Sequence, residues 1–316
     1  MAGLTDEQQA FFHREGYLVV ENVFDDADLQ PPIDDINRAI DERVAKLMAE
    51  GKLSRDYAEH DFAHRLARIS EETDELALSM WDGRLNGPGF FQLITNDKLL
   101  DIAESLCGEE LIASSVYRLR PKIPSHNKSP VPWHQDSAYF EPYCDKALVL
   151  TVWLPLVDAT AENGCLWVIP RAHTGEVLPH RWADGKPYLE IDENDLPPGV
   201  EKVCCPVPRG GCLLLTNLTP HVSFDNNTDA VRWSMDLRYQ SASLPTNAPI
   251  TRLPGESQPR GQSPAEPDFV PIACFPPEAD FLVRSRQRPD EVVRSADVFA
   301  ALRSEHEKAG LTQRWG

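Results

Sequence analysis

A histidine and an aspartate separated by one residue, in Trp133-His134-Gln135-Asp136, are the groups in this chain best suited to chemistry. Side chains two positions apart on a strand leave the same face. On a strand, the His134 imidazole and the Asp136 carboxylate therefore point into one cavity. A second histidine arriving from elsewhere completes two nitrogens and one oxygen on one side of a metal ion. Such a set leaves three positions open and suits non-haem Fe(II). A lone His-x-Asp is more often a solvated surface pair, so the other residues must carry the case.

The second histidine is expected at His221, in Thr216-Asn217-Leu218-Thr219-Pro220-His221-Val222-Ser223-Phe224. It follows Cys212-Leu213-Leu214-Leu215, which reads as a buried strand entered from the Arg209-Gly210-Gly211 turn. The cluster Asp225-Asn226-Asn227-Thr228-Asp229 is turn-forming, and strand-like residues resume from Ala230 to Tyr239. A hairpin about Asn227 and Thr228 is expected to set Ser223 opposite Arg232. A hydroxyl and a guanidinium so placed can share one carboxylate, the guanidinium with a two-pronged grip. Singly, a turn histidine or a surface arginine is the plainer reading; together the five positions form a metal site with an anion anchor.

These residues resemble the phytanoyl-CoA dioxygenase-like branch of the Fe(II)/2-oxoglutarate oxygenases. The resemblance covers roughly the first four-fifths of the chain. The opening, Leu4-Thr5-Asp6-Glu7-Gln8 through Phe12, Gly16-Tyr17-Leu18-Val19-Val20 and Val23-Phe24, is similar to the family's helix, glycine and apolar strand. Val152-Trp153-Leu154-Pro155-Leu156, Glu162-Asn163-Gly164-Cys165-Leu166 and Val168-Ile169-Pro170 are similar to its central hairpin. The metal motif and the spacing from His221 to Arg232 also match. Where the family usually has Pro-Gly-Ser-His, this chain has Pro170-Arg171-Ala172-His173; those positions shape a turn rather than hold the metal.

The resemblance implies a double-stranded β-helix, a cupin-like jelly roll that is mainly β with flanking helices. It implies Fe(II) on His134, Asp136 and His221, with 2-oxoglutarate and O2 as co-substrates. The far carboxylate of 2-oxoglutarate would meet Arg232 and Ser223, with Thr151 or Trp153 as wall residues and Arg120 nearby. Tyr139, Phe140 and Tyr143, just past the metal motif, are candidates for the substrate pocket, and as often such aromatics are simple core. The implied activity is that of a dioxygenase oxidising, most simply hydroxylating, a small organic metabolite. Iron halogenases of the superfamily have a small residue where this chain has Asp136, so oxygenation or desaturation is implied, not chlorination. Two other classes stay open at this point: a metal cupin that is an isomerase or hydrolase, and a binding protein that keeps the fold without turnover.

The chain has 316 residues, enough for one large β-rich core with helices around it. A single catalytic domain is expected. Residues 1–110 carry N-terminal helices and a strand, 111–242 the jelly-roll core, and 243–316 a proline-rich segment and a last helix, a candidate lid. A net charge of −19 argues against a nucleic-acid partner. No apolar run approaches the ~18–20 residues that cross a membrane, and no secretory leader is evident. Seven cysteines, an odd number without a CxxC pair, fit reduced thiols in the cytoplasm. The expected partner is a small-molecule substrate; oligomeric state is left open. Against the acidic background, Ser114 to Pro130 holds Arg118, Arg120, Lys122 and Lys128 and no acid, so a positive rim for 2-oxoglutarate or an anionic substrate is one reading and a solvated loop the other.

Element signals are uneven. Thr5 with Gln8 is a capping-box pattern opening a helix that stops before Gly16. Tyr17 to Phe24 reads as a strand, Asp26 to Glu50 as a helix closed by Gly51, and Asp97 to Leu106 as a helix stopped by Gly108. Leu53 to Glu72 reads as a helix carrying His60 and His64 at i,i+4, a zinc spacing without a third ligand, hence two exposed histidines. Short apolar strands between Pro, Gly and Asn turns run from Leu111 to Tyr239, the pattern of a sandwich or jelly roll. Pro245 to Pro277 reads as irregular chain and Ser295 to Ala309 as an amphipathic helix.

Overall fold

The Thr5 hydroxyl accepts from the Gln8 amide while the Gln8 side chain accepts from the Thr5 amide, the reciprocal cap expected at the first helix. The computed structural model describes residues 3–81, 85, 87–114, 118–124, 131–140, 145–182, 188–244 and 280–301. The helices are α1 (Asp6–Glu15), α2 (Asp26–Ala49), α3 (Arg65–Ser70), α4 (Glu75–Trp81), α5 (Pro88–Ile94) and α6 (Asp97–Cys107). The strands are β1 (Tyr17–Val20), β2 (Leu111–Ser114), β3 (Arg118–Lys122), β4 (Val131–His134), β5 (Leu150–Pro155), β6 (Leu166–Val168), β7 (Arg181–Trp182), β8 (Leu189–Glu190), β9 (Val203–Cys205), β10 (Cys212–Leu215), β11 (His221–Ser223), β12 (Arg232–Ser241) and β13 (Asp280–Arg284).

One sheet runs β1-β10-β5-β12-β2-β13, with β3 beside the first half of β12; a second runs β4-β11-β6-β9, and β7 pairs with β8 alone. From β4 onward the chain passes back and forth between the two larger sheets. Trp153, Leu213 and Leu215 of the larger sheet share an apolar cluster with Leu166, Val168 and Cys205 of the smaller, so the two sheets pack face to face. The other face of the larger sheet, including Val152, Leu214, Trp233 and Met235, joins the main core with Ile36, Ile40, Phe90 and Leu99 from the helices. A strand covered on both sides has no need to alternate, which explains the unbroken apolar run of β10. On β12 the alternation survives: Trp233, Met235, Leu237 and Tyr239 pack with the helix-side core. Arg232, Ser234, Asp236 and Arg238 therefore take the opposite face, toward the space between the sheets.

Several expectations are corrected. The first strand ends at Val20 rather than Phe24. Of the stretch from Leu53 to Glu72 only Arg65–Ser70 is α-helical. The Asp56 and Asp61 side chains accept from the backbone of Ala58 and His64, local bonds that compete with the helix; His60 and His64 do not stack on a helix face. α4 and α5 were not foreseen, and α5 starts where the buried Asp35 carboxylate accepts from the Gly89 and Phe90 amides. The proline-rich stretch and Lys128 lie outside the described residues. After them comes β13, also unforeseen, pairing with β2. The last helix begins at residue 296 and is described to 301. Because β1 and β13 are strands of the larger sheet, divisions at 110 and 243 cut through one sheet.

Candidate metal centre

Antiparallel pairing of β4 with β11 sets His221 directly opposite His134. β4 ends at His134, Gln135 is extended (φ −115°, ψ 137°), and Asp136 begins a single 3-10 turn, Asp136–Tyr139. One extended residue is enough to keep both side chains on one side. One ligand atom from each of His134, Asp136 and His221 lies within 4.8 Å of the others. The imidazole centroids are 4.1 Å apart, and His134 Nε2 is 3.9 Å from Asp136 Oδ1. The three residues are 9, 4 and 6% exposed.

Each donor is held from behind. His134 Nδ1 lies 2.9 Å from the Pro132 carbonyl and His221 Nδ1 lies 3.0 Å from the Thr219 carbonyl. A carbonyl only accepts, so each Nδ1 carries a hydrogen and Nε2 is the nitrogen each ring has left to offer a metal. Burial, with His221 beside it, pushes the His134 pKa down to about 3, which keeps that ring neutral. Asp136 Oδ2 accepts from the Thr151 hydroxyl at 2.6 Å and from Arg238 Nη2 at 3.3 Å, leaving Oδ1 toward His134. Burial alone would raise the carboxyl pKa. Arg238, the two imidazoles and the Thr151 hydroxyl outweigh it and hold the group ionised, well below the usual carboxylate range. Two imidazole nitrogens and one carboxylate oxygen converging from one side are a donor set that fits Fe(II).

Residues flanking the donors lock the loops together. Gln135, fully buried, donates its backbone N–H to His180 Nε2 at 3.0 Å. Its side chain accepts from the Leu178 amide and donates to the Leu218 carbonyl, both at 2.7 Å. The Asn217 carbonyl accepts from the Ser137 amide at 2.9 Å, and its side-chain nitrogen donates to Ser137 Oγ at 2.8 Å. The turn after Asp136 and the loop before His221 are thus tied to each other.

The expected hairpin is not formed. β11 belongs to the smaller sheet and β12 to the larger, so Ser223 and Arg232 are not strand partners. Crossing between sheets lets both strands of the segment be buried, which a surface hairpin would not. The Ser223 hydroxyl donates to the Gly164 carbonyl at 2.8 Å. Arg232, 3% exposed, donates from Nη1 to Ser234 Oγ at 2.7 Å and lies with Cζ 5.0 Å from the Trp153 ring centroid. Its Nε is buried without a partner, and it makes no ion pair among the described residues. Burial pulls its pKa down to about 10. A buried guanidinium without a carboxylate is costly unless an anion joins it, which suits the far carboxylate of 2-oxoglutarate.

Other expected residues are redistributed. The Thr151 hydroxyl is committed to Asp136 at 2.6 Å. Arg120 pairs with Asp236 at 3.1 Å. Arg118 and Lys122 are buried rather than on a rim; Lys122 donates to the Phe224 carbonyl at 2.6 Å, bridging the two sheets. The Tyr139 ring meets His134 edge-on at 6.2 Å, and its hydroxyl accepts from the Leu189 amide at 2.7 Å. Phe140 is buried with its ring centroid 5.8 Å from Arg238 Cζ; Tyr143 lies outside the described residues. Sequence reasoning passed over Ser234, Asp236 and Arg238, although the strict alternation of β12 marked them as one face. It also passed over His180 and Asn217, for which spacing offers no signal, and placed Gln135 only as the middle residue of the metal motif.

The phytanoyl-CoA dioxygenase (PhyH) family profile matches residues 12–234. The peroxisomal phytanoyl-CoA dioxygenase of Homo sapiens is 25% identical over 248 residues, 76% of this chain and 69% of that protein. The phytanoyl-CoA dioxygenase of Arabidopsis thaliana is 25% identical over 287 residues, 79% of this chain and 98% of that one. Among solved structures, the non-heme monooxygenase ThoJ in its apo form covers 97% of this chain and 98% of its own, with a TM-score of 0.57 and 18% identity. The epimerase SnoN in complex with Fe3+, alpha ketoglutarate and nogalamycin RO covers 81% of this chain and 93% of its own, with a TM-score of 0.52 and 22% identity. These structural likenesses bear out the jelly-roll fold.

Proposed function

The chain belongs to the phytanoyl-CoA dioxygenase family, and from that membership we propose that His134, Asp136 and His221 hold its iron and Arg232 seats the far carboxylate of 2-oxoglutarate. It is an Fe(II)/2-oxoglutarate-dependent dioxygenase, an oxidoreductase with O2 as second co-substrate. The observation that carries the residue assignment is the convergence of one ligand atom from each of His134, Asp136 and His221 within 4.8 Å. When bound, Fe(II) supplies dioxygen activation coupled to decarboxylation of 2-oxoglutarate to succinate and carbon dioxide.

The chain's own residues do the rest. Pro132 and Thr219 carbonyls fix the imidazoles, and Thr151 with Arg238 fixes the carboxylate so that one oxygen remains for the metal. Ser234 and the Trp153 face hold the Arg232 guanidinium in place, and the apolar residues between the sheets keep water away. Tyr139 and Phe140 line the approach to the metal side, in reach of a small organic substrate whose C–H bond is oxidised, most simply hydroxylated. Residues 1–316 act as one catalytic domain, since both flanks add strands to the larger sheet. No helix among the described residues is long and apolar enough to cross a membrane. A cytoplasmic setting is supported by seven cysteines without a CxxC pair.

The test is release of succinate from 2-oxoglutarate with Fe(II) and ascorbate present. Turnover should vanish with a chelator and in His134→Ala, Asp136→Ala and His221→Ala. Full activity under any of these conditions overturns the assignment. Mass spectrometry of candidate metabolite pools, looking for a gain of one oxygen or a loss of two hydrogens, then identifies the substrate.

A further inference from the structure

We infer that Arg238 is a second carboxylate seat, beside the metal centre and separate from Arg232, for either the keto-acid end of 2-oxoglutarate or a carboxylate on the molecule being oxidised. This rests on the metal and co-substrate assignment above. Arg238 stands on the inward face of β12 and is opposite Thr151 in the pairing with β5. A guanidinium carries five N–H donors. Arg238 spends one of them, from Nη2, on a 3.3 Å bond to Asp136 Oδ2, an oxygen already taken by Thr151 at 2.6 Å. Its Nε is buried with no partner. Asp136 is its one ion-pair partner among the described residues.

The inward row of β12 carries the same device twice. Arg232 and Arg238 each have an orphaned, buried Nε and an aromatic neighbour, Trp153 for the first and Phe140 for the second. Between them Asp236 pairs with Arg120 at 3.1 Å; its charge acts on Arg232 from a distance, and it makes no ion pair with Arg238. The two ends differ in access and surroundings. The Arg238 side chain is 18% exposed and touches a candidate metal ligand. A divalent cation on Asp136 Oδ1 draws on the one carboxylate paired with Arg238 among the described residues, and a bound cation is often the largest local charge in such a site. The guanidinium is then short of negative charge where its fork still has free donors, and a planar carboxylate matches that fork. A carboxylate seated there places its neighbouring carbons next to the metal. If it belongs to the substrate, the substrate is a carboxylic acid oxidised close to its acid group.

The experiment is isothermal titration calorimetry on the full-length protein loaded with Mn(II), which binds without turnover. Wild type against His221→Ala and Arg232→Gln checks the underlying assignment separately: metal binding should fail in the first and 2-oxoglutarate binding in the second. Arg238→Gln and Arg238→Lys are then compared for Mn(II), for 2-oxoglutarate, and for acetate, butyrate, hexanoate and benzoate, each against its neutral amide. Loss of 2-oxoglutarate affinity by roughly tenfold or more in Arg238→Gln, and less in Arg238→Lys, supports the seat and assigns it to the keto-acid end. Unchanged 2-oxoglutarate affinity, with a carboxylate that binds the wild-type ternary complex better than its amide and is lost in Arg238→Gln, supports the seat and assigns it to the substrate. Unchanged 2-oxoglutarate affinity with no carboxylate preferred over its amide overturns the inference and leaves Arg238 as a prop for Asp136.

Discussion

At the scale of single residues, the position of one hydrogen on each imidazole decides whether the site can work. The Pro132 and Thr219 carbonyls put that hydrogen on Nδ1, and Thr151 occupies the carboxylate oxygen that faces away from the other donors. Groups one bond removed from a metal typically contribute about 10- to 100-fold in affinity. Thr151→Val should therefore weaken Mn(II) binding by roughly tenfold while the protein stays folded, and calorimetry reads this directly. At the proposed anion anchor, Arg232→Ala should raise the 2-oxoglutarate requirement by about tenfold to hundredfold, since a charge-assisted bond contributes ~1.5–3 kcal/mol. Ser234→Ala should have a smaller effect, because its hydroxyl holds the guanidinium. Ser223→Ala should have the least, because that hydroxyl is committed to Gly164. Comparable 2-oxoglutarate requirements in all three variants would place the carboxylate elsewhere.

Among the elements, the turn between α1 and β1 is docked on the turn after β6. Gly16 closes α1 with φ +83°, and a Cβ there would meet the His173 ring at 2.3 Å. The Gly16 carbonyl also accepts from the Thr219 hydroxyl at 2.6 Å, two residues before His221. Gly16→Ala should cost about 1–2 kcal/mol from the left-handed backbone alone, seen as a lower urea midpoint. Facing it, Arg171 itself holds φ +64°, at the position where the family usually has glycine. Its amide donates to the Glu15 carbonyl at 2.8 Å and its side chain pairs with the Glu15 carboxylate. Arg171→Gly relieves about 1 kcal/mol of strain but frees the unfolded chain by a similar amount. Its midpoint should move little, which explains why the departure is tolerated.

For the molecule as a whole, the last described segment is part of the core rather than an appendage. β13 extends the larger sheet beside β2, and the fully buried Phe299 meets Phe91 and Phe281 with ring centroids 5.5 and 5.6 Å apart. Phe299→Ala should cost roughly 3–5 kcal/mol, measured by denaturant unfolding. Deleting residues 250–316, the natural way to test the tail as a lid, removes this strand and this ring as well. The truncated chain is expected to lose stability and metal binding together. A lid is better tested by excising residues 250–275 alone and measuring 2-oxoglutarate consumed per substrate oxidised.

The clustering of His134, Asp136 and His221 was legible in the sequence because its information is local. His134 and Asp136 need only one extended residue between them, and His221 announces itself by the apolar strand and turn around it. The capping box of α1 was legible for the same reason, since all its partners lie within four residues. Which sheet a strand joins is not local. The turn-rich cluster from Asp225 to Asp229 reads as a hairpin, because turn residues mark a reversal of the chain and not which sheet it returns to. Burial of both β11 and β12 between and beneath other layers selected the crossover, and with it Ser234 rather than Ser223 as the partner of Arg232. The same choice turned the polar face of β12 inward, where alternation alone would suggest water. Arg238 beside Asp136, and His180 beneath Gln135, are joined across 102 and 45 residues of chain. Contacts so distant exist only once the sheets have packed, because no spacing along the chain encodes which inward-facing residues of two facing sheets will meet.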